Sequence, residues 1–429
     1  MPTPPPPGIY VPVPTFFQRP SSSNAAPNSN LDSTNNNSNA PKTSTATLPL
    51  DLATQRRHAV HLARCGIRGL VLLGSTGEAI HLSSAERIAV VGAVRAALDD
   101  AGFPDYPLLA GTATQNVAET VQQLAEARTA GRVQWGLVLV PGFFAPHVSA
   151  EAVEAWFTEV ADRSPVPILI YHYPLVSNNI ALGPSTYQHL STHANIVGAK
   201  LSHSTLSHHT LLSASPHPSL APAVFATFTG LGQMLVGVLA MGGAGAIDGL
   251  AGVFPRAYVR LFELYVAWER SQSQSPAPSS PSPSPSPSPS NTPHIHPLHT
   301  IRTLQYHIAR AEELVLKWGT VGTKEAMARI AGFGTSAAAR APLAAGFPGG
   351  GGEAEWDFWA AELEGLRGVE EGLAGEENRE KEDKKEEKGE EKGEVGEKRE
   401  EKIEQVEGKI EEGNREQGTE VEVVVEGVL

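Results

Sequence analysis

Short apolar runs alternate with longer amphipathic stretches over most of the chain. Gly8-Ile9-Tyr10-Val11-Pro12-Val13-Pro14-Thr15-Phe16-Phe17 reads as an extended segment whose prolines suit a strand end or edge better than a central ladder. Leu50 to Cys65 carries helical spacing (Leu52, His58, Val60, Leu62), and Gly66 to Gly74 reads as a turn and a buried strand. The pair of patterns then recurs. Helix Ala85 to Leu98 precedes strand Pro107 to Gly111, helix Asn116 to Ala130 precedes strand Gly136 to Val140, and helix Ala150 to Ala161 precedes strand Pro167 to Tyr171. A short helix near Ser185 to Thr192 leads to strand Ile196 to Leu201, and one near Leu206 to Ser213 leads to strand Ala223 to Thr227. Helix Leu231 to Met241 leads to strand Gly245 to Leu250, and helix Pro255 to Arg270 closes the series.

Eight apolar strands, each followed by an amphipathic helix, imply a parallel sheet covered by helices, and eight such units fit a closed α/β barrel, the (β/α)8 TIM barrel. The alternative is a doubly wound open sheet, but its glycine-rich fingerprint does not follow the first strand. Beyond residue 296 the pattern is helical only, over Thr300 to Trp318, Lys324 to Ile330 and Glu355 to Leu366. The expected organisation is therefore a barrel over 1–270 interrupted at 18–47, a Ser/Pro-rich insertion over 271–296, C-terminal helices over 297–368 packed on the barrel, and a tail over 369–429. The insertions are Ser/Asn/Pro/Thr-rich and Ser-Pro-rich, and the tail is Glu/Lys-rich with no apolar stripe, so they are expected to be disordered or, for the tail, a frayed helix.

Composition adds that the folded part is smaller than 429 residues suggest, roughly 300, still enough for one well-buried core. The net charge of -14 is concentrated at one end: from Glu370 onward there are 23 acidic and 11 basic residues, a difference of -12, which leaves the rest at about -2. No basic face and no aromatic-basic interleaving suggest nucleic acid. The single cysteine, Cys65, excludes an intramolecular disulfide and a cysteine zinc cluster, and reads as a small buried hydrophobe. No apolar run approaches a membrane span, and Met1-Pro2-Thr3-Pro4-Pro5-Pro6-Pro7 reads as neither a signal nor a transit peptide, so a cytoplasmic location is expected.

The chemistry collects where such a barrel builds its site, at the C-terminal ends of the strands. Lys200 ends the sixth strand and is the only lysine between Lys42 and Lys317, in a region that uses arginine freely. A buried amine can lose its proton and attack a carbonyl, which a guanidinium cannot. The plainer alternative is a lysine snorkelling from a strand end. The second strand ends in Gly74-Ser75-Thr76-Gly77-Glu78, an anion nest or simply a glycine-containing turn, and the fifth in Tyr171-His172-Tyr173-Pro174. An amine, a phenol and a carboxylate-sized nest suit imine chemistry on a 2-oxo acid, provided an apolar interior lowers the amine from about 10.4. His203, His208 and His209 invite a metal reading, but no carboxylate is spaced among them, so surface or helix-cap histidines are expected and no metal.

These motifs, in this order and spacing, resemble the dihydrodipicolinate synthase / N-acetylneuraminate lyase superfamily of class I pyruvate aldolases. The likeness runs from Gly8 to about Leu343 and includes Glu78-Ala79-Ile80-His81-Leu82, Gly245-Ala246-Ile247-Asp248-Gly249 and Arg340-Ala341-Pro342-Leu343. The resemblance implies Lys200 as the Schiff-base lysine, Tyr171 as the proton-transferring phenol and Ser75 as the relay hydroxyl. It further implies Thr76 with Gly74 and Gly77 as the pyruvate-carboxylate site, and His172, Ser202 and Ile247 as further substrate-binding residues. It implies no cofactor, no metal and a homo-oligomer, commonly a tetramer, acting on pyruvate and an aldehyde.

Three departures qualify the expectation. Phe143 stands where the family's relay carries a second tyrosine, His172 where an asparagine is usual, and the loop Leu175-Val176-Ser177-Asn178-Asn179 has no arginine for a second carboxylate, which argues against dihydrodipicolinate synthase activity. The pattern looks closer to fungal-type members acting on 4-hydroxy-2-oxoglutarate or 2-keto-3-deoxy-hexonates. Ser177, Asn178, Asn179, His172, Ser202 and His203 would suit a polyol chain and tilt the choice toward a deoxy sugar acid. Two rivals stand beside this reading: a catalytically decayed barrel serving as a scaffold, and a phosphate-binding isomerase, for which Gly242-Gly243 and Gly249 offer only a faint cup.

Overall fold

A strand covered by helices outside and by side chains inside must be apolar on both faces, and the eight runs identified above meet that condition. The computed structural model describes residues 2–18, 48–273, 296–336, 339–343, 346–347 and 352–380. Its strands are β1 (Gly8–Pro12), β2 (Gly69–Leu72), β3 (Leu108–Thr112), β4 (Trp135–Leu139), β5 (Ile168–His172), β6 (Ile196–Leu201), β7 (Ala226–Thr229) and β8 (Gly245–Ile247). They are all parallel and close in sequence order into a barrel, the expected (β/α)8 fold. Around them run α1 (Leu52–Arg64), α2 (Ser84–Asp100), α3 (Val117–Gly131), α4 (Ala150–Arg163), α5 (Pro184–Leu190), α6 (Leu206–Ser213), α7 (Leu235–Ala240) and α8 (Pro255–Ser273). Side-chain caps start several of these helices: Asn116 accepts from the Glu119 N–H, and Ser83 with Glu86 forms a reciprocal capping box.

The C-terminal helical segment belongs to the same compact unit as the barrel, which spans Met1–Glu370. Its first part is α9 (Pro297–Arg329), broken at Gly319, whose φ of 52° and ψ of -132° only glycine adopts readily. The break falls where the sequence pattern separates two helices. Residues 352–370 are helical as well, and of the second unit, Glu371–Leu429, residues 371–380 are helical. The tract at 274–295, most of the interruption at 18–47 and the tail from 381 lie outside the described residues. The ends of the interruption are tied by an isolated bridge between Phe17 and Leu50.

Two strand boundaries differ from the sequence reading for local reasons. β7 begins at Ala226, not Ala223, because the N–H groups of Val224 and Phe225 both bond to the Ala221 carbonyl and close a turn there. β8 stops at Ile247 because the Asp248 carboxylate captures the Leu250 and Ala251 N–H groups and turns the chain. Pro12 sits at the end of β1, paired with Val71, within a ladder that has no edge.

Tyr10, Val71, Leu109, Leu137, Leu169, Tyr171, Val197, Phe228 and Ile247 fill the barrel interior. The alternate residues Ile168, Ile170, Ile196, Ala199 and Leu201 face the helices in the larger core. One irregularity decides which set Lys200 joins. Ile168 pairs with Ile196, but Leu169 pairs with Gly198, so β6 carries one extra residue at Val197. Strict alternation from Val197, which faces inward, would turn Lys200 outward; the bulge reverses the phase beyond it and places Lys200 opposite Tyr171.

Gly198 occupies the bulge because a Cβ there would lie 2.4 Å from the Ala226 carbonyl oxygen and 3.3 Å from Leu169 Cγ. Gly198→Ala should therefore cost about 1–3 kcal/mol in denaturant unfolding. Unchanged stability would mean that the bulge does not require glycine.

Candidate active site

The loop after β2 is held from beneath by a buried carboxylate. Leu73 and Glu78 adopt positive φ values of 62° and 50°, which curl Gly74-Ser75-Thr76-Gly77 into a tight turn at the mouth of the barrel. Such a conformation needs external support. The Glu78 side chain supplies it: fully buried, it pairs with Lys324 Nζ of α9 and accepts the Arg340 N–H at 3.2 Å. The Thr15 hydroxyl donates to the Gly77 carbonyl at 2.6 Å. Arg340 in turn donates to the Leu48 and His81 carbonyls and to Glu86, whose carboxyl it holds down to about 2.

Across the mouth, Lys200 Nζ lies 4.6 Å from the centre of the Tyr171 ring, and the Tyr171 hydroxyl lies 3.4 Å from Ser75 Oγ. Burial pulls the Lys200 amine down to about 8, against the attraction of Asp248 and Glu312. Roughly a tenth of it is then free amine at pH 7, where an unperturbed lysine would be almost wholly protonated. Burial pushes the Tyr171 phenol well above its ordinary value, so it remains a neutral hydroxyl able to give and take a proton through Ser75. Lys200, Tyr171, Thr76 and Ser202 all open onto one cavity of about 340 Å³. An amine with a free fraction at neutral pH, a phenol and paired hydroxyls around a cavity of this size can attack and hold a small carbonyl compound.

The other predicted residues fall around this centre in different ways. Ser75 and Gly74 face a neighbouring cavity of about 510 Å³, which Tyr173 also borders, and Gly77 packs its backbone against Val13. Ile247 is buried in the barrel interior among the apolar side chains. His172 is also buried: its Nε2 lies 2.9 Å from the Ile180 carbonyl oxygen and its Nδ1 2.7 Å from the Tyr187 hydroxyl. With both nitrogens engaged, it braces the loop after β5 and does not border the cavity. Asn178 donates to the Gly142 and Phe143 carbonyls, so it too supports the loop.

The expectation of surface or helix-cap histidines after Lys200 is corrected for His209, which is fully buried; His203 is half-buried, accepts the Thr205 N–H at 3.3 Å ahead of α6, and packs against His172, His208 and His209 with ring centres 5.0, 5.3 and 6.2 Å apart. Burial holds His203 and His209 down to about 4, so both are neutral at pH 7. No group of three His, Cys, Asp or Glu side chains among the described residues is arranged to hold a metal ion. Cys65 is buried, as its position in the helical pattern suggested.

Sequence reasoning passed over Asp248 and Glu312, both 1 % exposed beside the amine, and the anchors Glu78, Lys324 and Arg340. Glu78, Asp248 and Arg340 stood inside motifs already noted, without a role assigned to them. Glu312 carried a fainter signal, lying at helical spacing from Ile301, Leu304 and Ile308 on the buried face of α9. Phe143 is 69 % exposed and borders the neighbouring cavity, outside the one that holds Lys200.

Known proteins share this arrangement of strands. Residues 41–275 match the model of the Dihydrodipicolinate synthetase family. The "Probable 4-hydroxy-2-oxoglutarate aldolase, mitochondrial" of Emericella nidulans is 33% identical over 328 residues, covering 76% of this chain and 86% of that protein. The "L-threo-3-deoxy-hexylosonate aldolase" of Aspergillus niger is 32% identical over 284 residues, covering 62% and 77%. The crystal structure of a dihydrodipicolinate synthase family protein from Coccidioides immitis superposes with a TM-score of 0.61 at 26% identity, covering 86% of this chain and 98% of that one.

Glu78→Gln should test the anchoring of the mouth loop. It leaves the Lys324 ammonium buried without its partner, a loss of about 3–5 kcal/mol. Chemical denaturation reads that loss, and a change below about 0.5 kcal/mol, the ordinary range for a surface substitution, would show that the pair does not hold the loop.

Proposed function

We propose a specific chemistry from the premise that the chain belongs to the dihydrodipicolinate synthetase family, within the superfamily of class I pyruvate aldolases: it makes or breaks a carbon-carbon bond between pyruvate and an aldehyde through an imine on Lys200. The observation that carries this reading is the pairing of Lys200 with Tyr171 across β5 and β6, which sets a desolvated amine beside a neutral phenol in one cavity.

In the cleavage direction the free Lys200 amine attacks C2 of a 4-hydroxy-2-oxo acid, and loss of water gives an iminium. Thr76 and its neighbouring N–H groups hold the substrate carboxylate in the turn after β2. Tyr171 takes the proton of the 4-hydroxyl while passing its own through Ser75 to water; the C3–C4 bond breaks, its electrons pass into the iminium to form an enamine, and the aldehyde leaves. Protonation of the enamine at C3 and hydrolysis release pyruvate and restore the amine. The phenol at Tyr171 and the hydroxyl at Ser75 stand together at the mouth, and Phe143 lies outside the cavity, which supports an active aldolase over a decayed scaffold.

The cavity also supports a choice of substrate. Apart from Lys200, no lysine or arginine borders it among the described residues, and His203 is neutral, so a distal carboxylate would find no cation. Ser202, Ser204, Gln233 and Tyr173 offer hydroxyl and amide partners instead. A 3-deoxy sugar acid, which yields glyceraldehyde, fits this lining better than 4-hydroxy-2-oxoglutarate, which yields the anion glyoxylate.

Borohydride reduction with pyruvate should leave a pyruvyl adduct on Lys200, found by peptide mass analysis and absent from Lys200→Ala. Because the attacking form is the free amine, the initial rate of trapping should rise about tenfold per pH unit below 8 and level above it. No adduct on the folded protein would refute the imine chemistry. In condensation with pyruvate, kcat/KM for glyceraldehyde should exceed that for glyoxylate by roughly tenfold or more, the worth of one unpaired charge at a partly solvated site. The reverse order would assign the distal-carboxylate substrate.

A further inference from the structure

The Ser75 hydroxyl meets Tyr171 at 3.4 Å, long for a bond between two hydroxyls, so the relay depends on how the Ser75 peptide is held. Part of that hold comes from the far end of the chain. Gly319 breaks α9 with a φ of 52° and a ψ of -132°, and a Cβ there would meet nothing within 4 Å. Glycine is therefore required for the backbone conformation and not for space. Beyond the break residues 321–327 are all buried, and Thr320 and Lys324, one helical turn apart, both reach the turn after β2.

These two contacts grip opposite ends of that turn. Lys324 pairs with the Glu78 carboxylate, and the Thr320 hydroxyl donates to the Ser75 carbonyl at 3.4 Å. The same carbonyl accepts the Glu78 N–H at 3.1 Å, a bond that lies within the turn and moves with it; Thr320 ties the peptide to a separate, buried helix. Thr323 secures the break itself, its hydroxyl donating to the Gly319 carbonyl at 3.1 Å. It also packs with Thr76 around Gly249, where a Cβ would lie 3.7 Å from Thr323 Oγ1 and 3.8 Å from Thr76 Oγ1. Thr320 borders the cavity of about 510 Å³ beside Ser75, and not the one that holds Lys200 and Tyr171.

We propose that Thr320 is a positioning residue: through the Ser75 carbonyl it aims the Ser75 hydroxyl at Tyr171, and so serves the proton relay from outside the substrate cavity. A relay works only while its donor and acceptor stay within hydrogen-bond reach, and the Ser75–Tyr171 contact has little margin to lose. The catalytic consequence rests on the imine reading above, whereas the anchoring of the turn does not.

The test compares full-length wild type with Thr320→Val, which keeps the side-chain shape and removes the donor, and Thr320→Ser, which restores it. In cleavage of a 3-deoxy sugar acid, Thr320→Val should lower kcat roughly tenfold to a hundredfold and leave KM within about twofold. Thr320→Ser should recover kcat to within about threefold, since its hydroxyl offers the same donor. The final yield of pyruvyl adduct on Lys200 after borohydride should match wild type. In a Ser75→Ala background Thr320→Val should cost nothing further, because it acts through Ser75. An unchanged kcat, a loss that serine does not recover, an adduct yield that falls with kcat, or losses that add in the double variant would overturn the proposal. Amide hydrogen exchange follows the anchoring without substrate: Glu78 and Ala79 should exchange about tenfold faster in Thr320→Val and at the wild-type rate in Thr320→Ser. Equal exchange in all three would overturn the proposal as well. No pyruvyl adduct on the folded wild type would refute the imine reading, and hydrogen exchange alone would then decide the role of Thr320. Should Thr320→Val not fold, Thr320→Ala takes its place.

Discussion

A lysine can act as a nucleophile near neutral pH only if its ammonium form is made costly, and in this protein the cost comes from the barrel interior. That requirement governs the surrounding structure. The amine must point inward, yet the strand that carries it is buried on both faces, and an inward or outward aim differs by one residue of register. The extra residue at Val197 sets the aim, Gly198 makes room for it against β7, and Tyr171 receives the amine on the neighbouring strand. The proposed chemistry depends on this small irregularity more than on any single hydrogen bond.

The C-terminal segment is part of the site as much as of the scaffold. Lys324 neutralises Glu78 and the Arg340 backbone N–H helps to hold it, so that it supports the turn after β2 from below. Further up the same helix, Glu312 reaches the corner formed by Tyr258, Asp248 and Gly232. Both contacts are buried, and both join residues more than 60 positions from the strand ends they serve. A barrel that ended at α8 would carry every motif of the mouth and lack the groups that hold it in shape.

Burial also explains why histidines near the mouth do not act as cations. His172, His203, His208 and His209 form an aromatic cluster behind the loop after β6, and desolvation keeps His203 and His209 uncharged. The cavity is left with one amine, the buried Asp248 carboxyl and an otherwise uncharged polar rim. This balance, and not a dedicated binding residue, underlies the preference proposed for a hydroxylated over an anionic aldehyde.

Much of this was legible in the chain itself. Eight apolar runs spaced by amphipathic helices pointed to a closed parallel barrel, because each strand must be covered on both faces and the glycine-rich fingerprint of the open, doubly wound alternative does not follow the first strand. The isolation of Lys200 among arginines, with the Gly-Ser-Thr-Gly-Glu turn and Tyr171, marked the candidate site, because strand ends on one side of a barrel converge. The tertiary structure alone decided which way those side chains face and what charges surround them. A bulge is invisible to periodicity, a buried histidine has the same sequence as an exposed one, and the partners of Glu78 and Asp248 arrive from helices hundreds or scores of residues away. Register and long-range burial are properties of the packed chain, and they set the pKa values on which the proposed chemistry turns.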